Sequence, residues 1–238
     1  MEARGFSTIA ALNELAVQDR DQRSGATVIL NQFETGVAAA RLAERFRAAG
    51  DPTEAWEFAS ALAGLRNKGS LGALVAALTE RQGERSAAAA YHLRDAGRHS
   101  RRALRALMQL VNDRTVPQVV RTEAIESLGC IGSRRAMPVL LCALADPLPE
   151  VRFWAVYSLG LFLRSWWART GRVGAEVEIR SALDKMVGDE AAAPTWWSVG
   201  REAQAVLAEP AALKAAVQEV LENPDATDEE RRWAECYG

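Results

Sequence analysis

Residues Val151-Arg152-Phe153-Trp154-Ala155-Val156-Tyr157-Ser158-Leu159-Gly160 restate, in register, Val120-Arg121-Thr122-Glu123-Ala124-Ile125-Glu126-Ser127-Leu128-Gly129. Val, Arg, Ala, Ser, Leu and Gly recur at a spacing of 31 residues. A fixed period in this range marks stacked repeats, in which one unit cannot bury its apolar face alone. Within each copy the apolar positions fall at i, i+4, i+8 and i+11, one stripe of a helix: Val120, Ala124, Leu128, Ile131, then Val151, Ala155, Leu159, Phe162. A degraded copy places Arg85, Ala89, Leu93 and Ala96 on the same stripe, and Leu62 with Leu65 marks one before it. The stripe leucines 62, 93, 128 and 159 are 31, 35 and 31 residues apart; Leu207 follows 48 residues on, so an insertion precedes it.

Shorter amphipathic segments alternate with these, near 70–79, 100–111, 134–145, 175–187 and 210–222. Asp146-Pro147-Leu148-Pro149 is the sharpest turn, because proline fixes φ and cannot continue a helix. Residues 35–49 and 53–66 read as a further pair. Residues 5–18 read as a capping helix with Ser7 or Thr8 as N-cap, and 19–34 are ambiguous. The expected organisation is an N-terminal helical cap over 1–50, which can include the first helix of a degenerate repeat. A solenoid follows over 51–222 with an insertion around 164–196, then an acidic tail or short capping helix over 223–238.

The chain resembles HEAT-repeat proteins, specifically the short bacterial-type repeat named after phycobilin lyases. Ala136-Met137-Pro138-Val139-Leu140-Leu141, Asp146-Pro147 and Val151-Arg152 carry the match, as does Val120-Arg121 through Ile131-Gly132. Two repeats fit well, two or three weakly, and the first ~50 residues not at all. The resemblance implies an all-α, right-handed α-solenoid of about five to six helix pairs. It also implies a ladder in which a turn Asp and the Arg six residues later link repeats. Asp146 and Arg152 have that spacing; Asp113 to Arg121 is longer, and Ser86 stands where the preceding copy would have Arg.

The second helices of such a solenoid line its concave face. In 151–163 the stripe is accounted for, yet Phe153, Trp154, Tyr157 and Leu161 make the other side apolar too. Such a helix is either enclosed or covers a binding surface. One repeat back, Trp154 and Tyr157 map to Glu123 and Glu126; a further repeat back gives Ala88 and Tyr91, with His92 and Asp95 adjacent; one repeat forward, Trp154 maps to Glu202. The candidate binding patch is therefore Tyr91, His92, Glu123, Glu126, Trp154, Tyr157 and Glu202. Rings beside carboxylates suit a cationic or N–H-donating partner. The alternative is that Trp154 and Tyr157 are core and the glutamates merely solvated. The pairs Trp166-Trp167 and Trp196-Trp197 read as rim residues that close gaps between irregular repeats.

Other chemistry finds little support. Two histidines, His92 and His99, and scattered Cys130, Cys142 and Cys236 form no metal, iron–sulfur or disulfide pattern. Cys130 and Cys142 are expected inside, Cys236 outside. No phosphate-binding glycine loop occurs, since Gly69-Ser70-Leu71-Gly72 lacks the lysine. No catalytic residue, cofactor or metal is expected. No apolar run approaches the ~20 residues of a membrane span, and Met1 to Leu15 shows no signal peptide, so a cytoplasmic protein is expected. The net charge of −2 hides an asymmetry: nine Arg against three acids in 81–121, and seven acids against two Arg in 219–235. The leading reading is a non-catalytic scaffold or accessory protein binding a protein or peptide on its concave face. One alternative resembles the bilin lyases, holding a tetrapyrrole or similar conjugated ligand. Another resembles the HEAT-like alkylpurine DNA glycosylases, which the acidic balance and scarcity of Lys disfavour.

Overall fold

A computed structural model of the chain describes residues 36–81, 83–170, 174–193 and 197–237. The expected capping helix at 5–18 and Trp196 lie outside them, as do the side chains of Trp166 and Trp167. The described residues form twelve α-helices, one short 3₁₀ turn and no strand. They are α1 (Gly36–Ala48), α2 (Pro52–Leu65), α3 (Lys68–Ala77), α4 (Gly83–Ala96), α5 (Arg101–Asn112), α6 (Gln118–Ile131), α7 (Met137–Ala143), α8 (Pro149–Thr170), α9 (Gly174–Asp184), α10 (Val199–Leu207), α11 (Pro210–Glu222) and α12 (Asp228–Tyr237). No described helix is long and apolar enough to cross a membrane. The chain divides into two compact units, Met1–Ile131 and Gly132–Gly238.

In the first unit α2, α4 and α6 pack in sequence as one row, and α1, α3 and α5 as another. The turns between them carry their own stop and start signals. Asp51 accepts from the Thr53 backbone N–H at 3.0 Å with Pro52 just inside the helix. Asn67 and Ser70 cap α3 reciprocally, and Ser100 caps α5 through the Ala103 N–H. Helix α4, held between α2 and α6, buries Ala87, Ala88, Ala89 and Ala90 completely. Small side chains there let three helices approach, and the volume is filled from the flanks by Phe58, Leu62, Ile125 and Leu128. Ser127 ties α6 to α4 by donating to the Ala90 carbonyl at 2.6 Å.

In the second unit α7 and α9 both pack on α8, α8 and α9 pack on α10, and α11 packs on α12. Phe153, Val156, Leu159 and Phe162 from α8 form the core with Ile179, Leu183, Trp197 and Val199. The glycine of the second copy, Gly160, sits at a close helix contact. A Cβ on Gly160 would lie 2.8 Å from Val206 Cγ2, so the glycine permits α8 to approach α10. Gly200 is tighter still: a Cβ would meet the Val187 carbonyl oxygen at 2.4 Å, and its N–H donates to the Asp189 carbonyl at 2.7 Å. Cys142 corrects an expectation, being exposed rather than inside. The buried stripe of α7 is Val139, Leu140 and Ala143, and Cys142 falls off it.

Asp146 and Arg152, expected to form a ladder between repeats, share one hydrogen-bonded cluster with the following turn. Arg152 donates to the Asp146 carbonyl at 2.9 Å, and its fork binds the Asp189 carboxylate in the following turn at 2.7 and 3.1 Å. In the first unit Ser86 replaces the ladder arginine and bonds the Ala77 carbonyl at 2.9 Å, while Arg81, from the turn before α4, forms the ion pair with Asp113. Arg121 is buried, its Nε donating to the Val111 carbonyl at 3.3 Å.

Candidate functional site

Within the first unit, α4 and α6 bring Tyr91, His92, Glu123 and Glu126 onto one half-buried face, and α2 adds Trp56. The three rings meet edge to face: Trp56 to Tyr91 at 5.3 Å, Trp56 to His92 at 6.0 Å, and Tyr91 to His92 at 5.0 Å. The Trp56 indole N–H donates to Glu84 Oε2 at 3.1 Å. The Arg94 guanidinium lies 3.6 Å from the Tyr91 ring centroid, donates to the Tyr91 hydroxyl, and pairs with Glu126 at 2.8 Å.

Among the described residues, Glu126 and Glu84 both act on Glu123, and Arg94, the cation that acts on it, is already engaged with Glu126. Burial, then the proximity of Arg94, lowers His92 to about 4, so the imidazole is neutral at pH 7. Burial, then repulsion from Glu126, raises Glu123 to about 7. Glu123 Oε2 is buried and accepts no hydrogen bond among the described residues. Burial also pushes the Cys130 thiol up, which makes it a poor nucleophile. No group of described residues has the make-up of a metal site.

The elevated Glu123 has a consequence for stability. Its proton is held more tightly in the folded chain than in the unfolded one, where the ordinary value is 4.5. The resulting stabilisation is full below the unfolded value and is lost as pH rises through about 7. Glu123→Gln, which keeps the shape and never ionises, is therefore expected to melt above the wild type at pH 8 and level with it at pH 5. A melting difference independent of pH would show that the carboxyl is solvated.

In the second unit Trp154 and Tyr157 are half-buried, with rings 5.4 Å apart, and Trp154 also meets the buried Phe153 at 5.7 Å. Glu202, placed on the binding face by the repeat register, is fully buried instead. Its Oε2 accepts from the Trp197 indole at 2.8 Å and its Oε1 from the Tyr237 hydroxyl at 2.6 Å. Helix α12 supplies that hydroxyl and also buries Trp233, over which Arg201 stacks at 4.6 Å. Glu202 is thus a core carboxylate enclosed by α12, unavailable on an open face.

The sequence reading passed over Trp56, Glu84 and Arg94. Arg94 left a signal: Leu93-Arg94 stands where the strong copies have Leu128-Gly129 and Leu159-Gly160. A long cation in place of a repeat glycine has to find partners, and it finds Tyr91 and Glu126. Trp56 is six residues before the stripe Leu62, as Phe153 is before Leu159, a position otherwise core.

Residues 136–166, which include α7 and most of α8, match the family model of the HEAT repeat. No curated protein matches the chain. HEAT repeats generally mediate protein–protein interaction.

Proposed function

We propose that the chain is a non-catalytic α-solenoid scaffold that binds a protein or peptide partner through the row α2, α4 and α6, with a lysine or arginine side chain as the partner's anchor. The single observation behind this is Glu123, whose buried Oε2 has no donor among the described residues while Glu84 and Glu126 stand close enough to act on its charge. A half-buried carboxylate beside Trp56 and Tyr91 combines an anion with ring faces, the chemistry that recognises a cation. An incoming ammonium or guanidinium supplies the missing donor and offsets the repulsion among the carboxylates. The half-buried Trp154 and Tyr157 of the second unit are proposed as aromatic contacts for the same partner class.

The test is selection of peptides from a randomised library at pH 7.5, followed by titration of the winners. Lys or Arg should be enriched at one fixed position. Replacing Glu84, Glu123 and Glu126 together by Gln should weaken the selected peptides by roughly 30-fold or more, the effect of losing an interface anchor. Affinity should also rise between pH 6 and 8 as Glu123 loses its proton. Selected peptides without a cation, or equal binding by the triple variant, would overturn the reading.

A further inference from the structure

On the other row of the first unit lies a groove of about 400 Å³ between α3 and α5. Arg101, Arg102, Arg105, Thr79 and Gln109 rim it over Val75 and Ala106. Helix α5 is sharply two-faced. Ala103, Leu104, Leu107, Leu110 and Val111 are buried, and the three arginines are exposed on the opposite side. None of the three guanidiniums has a hydrogen-bond or ion-pair partner among the described residues.

This arrangement works against the helix that carries it. Arg101 and Arg102 sit in the first turn, which contains no acid, where cations oppose the helix dipole. Arg105 then places like charges at i, i+3 and i, i+4. A negatively charged occupant offsets all these terms at once.

The chain carries such a surface itself. Glu219, Glu222, Asp225, Asp228, Glu229 and Glu235 are exposed along α11, its following turn and α12, and none is paired with a cation among the described residues. We infer that the arginine groove on α5 docks the acidic α11–α12 segment of a second copy of the chain. Each copy offers one groove and one acidic segment, so two copies can exchange both contacts in a closed dimer or continue into a larger assembly. The contact uses different residues from the α2, α4 and α6 row, so it stands or falls independently of the proposed partner site.

Sedimentation velocity on the full chain tests this. At ~100 μM protein and ~30 mM salt the wild type should sediment as a dimer or larger, and return to monomer near 500 mM salt, where exposed charges are screened beyond ~4 Å. Arg101→Glu with Arg105→Glu should remain monomeric at low salt, as should Glu219→Lys with Glu222→Lys and Asp225→Lys. Mixing the two charge-reversed proteins should restore association, which neither misfolding nor general charge repulsion can produce. Circular dichroism of each variant confirms that it is folded. A wild type that is monomeric at low salt would overturn the inference, as would an oligomer insensitive to either reversal, or a mixture that fails to associate. Binding of duplex DNA by a monomeric wild type would reassign the groove to nucleic acid.

Discussion

Replacing Glu202 by Ala is expected to cost about 2–4 kcal/mol of folding stability in urea denaturation. The carboxylate is fully buried and accepts from two donors, the Trp197 indole and the Tyr237 hydroxyl. Truncation orphans the indole N–H, which is itself in the core, and leaves a cavity. The tyrosine hydroxyl is half-buried, so it regains water and the loss on that side is smaller. Burial raises the carboxyl above its ordinary range, offset by the two donors. Glu202→Gln distinguishes hydrogen bonding from charge. Its amide oxygen can accept from Trp197 while its NH₂ donates to the Tyr237 oxygen, so it should keep most of the stability. A small loss for Ala, below about 1 kcal/mol, would mean that α12 does not close over this site.

Arg152→Ala is expected to cost about 2–3 kcal/mol. The guanidinium makes two bonds to the Asp189 carboxylate and two to the Asp146 and Pro147 carbonyls. Both side chains are largely shielded, at 16% and 18% exposure, so the pair escapes most of the screening that makes surface ion pairs weak. The bond from Arg152 holds the Asp189 carboxyl below its ordinary value. A depressed carboxylate contributes stability above its unfolded value of 3.8 and loses it as pH falls through the folded one. The penalty for Arg152→Ala should therefore be full at pH 7 and shrink as pH falls below 3.8. Arg152→Lys should recover little, because an ammonium lacks the planar fork that serves both carboxylate oxygens. A double substitution with Asp189→Asn that proves additive would show the two side chains to be uncoupled.

The helices were legible because each rests on a local signal. The stripe Val120, Ala124, Leu128, Ile131 and its copy 31 residues later specify α6 and α8 through the 3.6-residue period alone. Helices α1, α2, α5 and α11 likewise begin and end within about three residues of where periodicity, caps and prolines placed them. The turn chemistry at Asp51-Pro52 and Asn67-Lys68-Gly69-Ser70 is encoded within four residues and needs no distant partner.

What each side chain meets was decided by the tertiary structure. Glu123 and Glu202 both step from Trp154 in the repeat register, yet one is half-buried beside Glu126 and the other is sealed by a helix that follows the last clear repeat. Periodicity assigns a residue to a face but does not say what covers that face. The ladder shows the same division. The spacing of Asp146 and Arg152 was visible, whereas the carboxylate that receives the Arg152 fork belongs to Asp189, 37 residues on, in the turn that follows the next helix. Repeats specify themselves through short-range regularity. The chemistry sits where the regularity breaks, at Arg94 in place of a glycine and Ser86 in place of an arginine, and there only three-dimensional packing determines the partner.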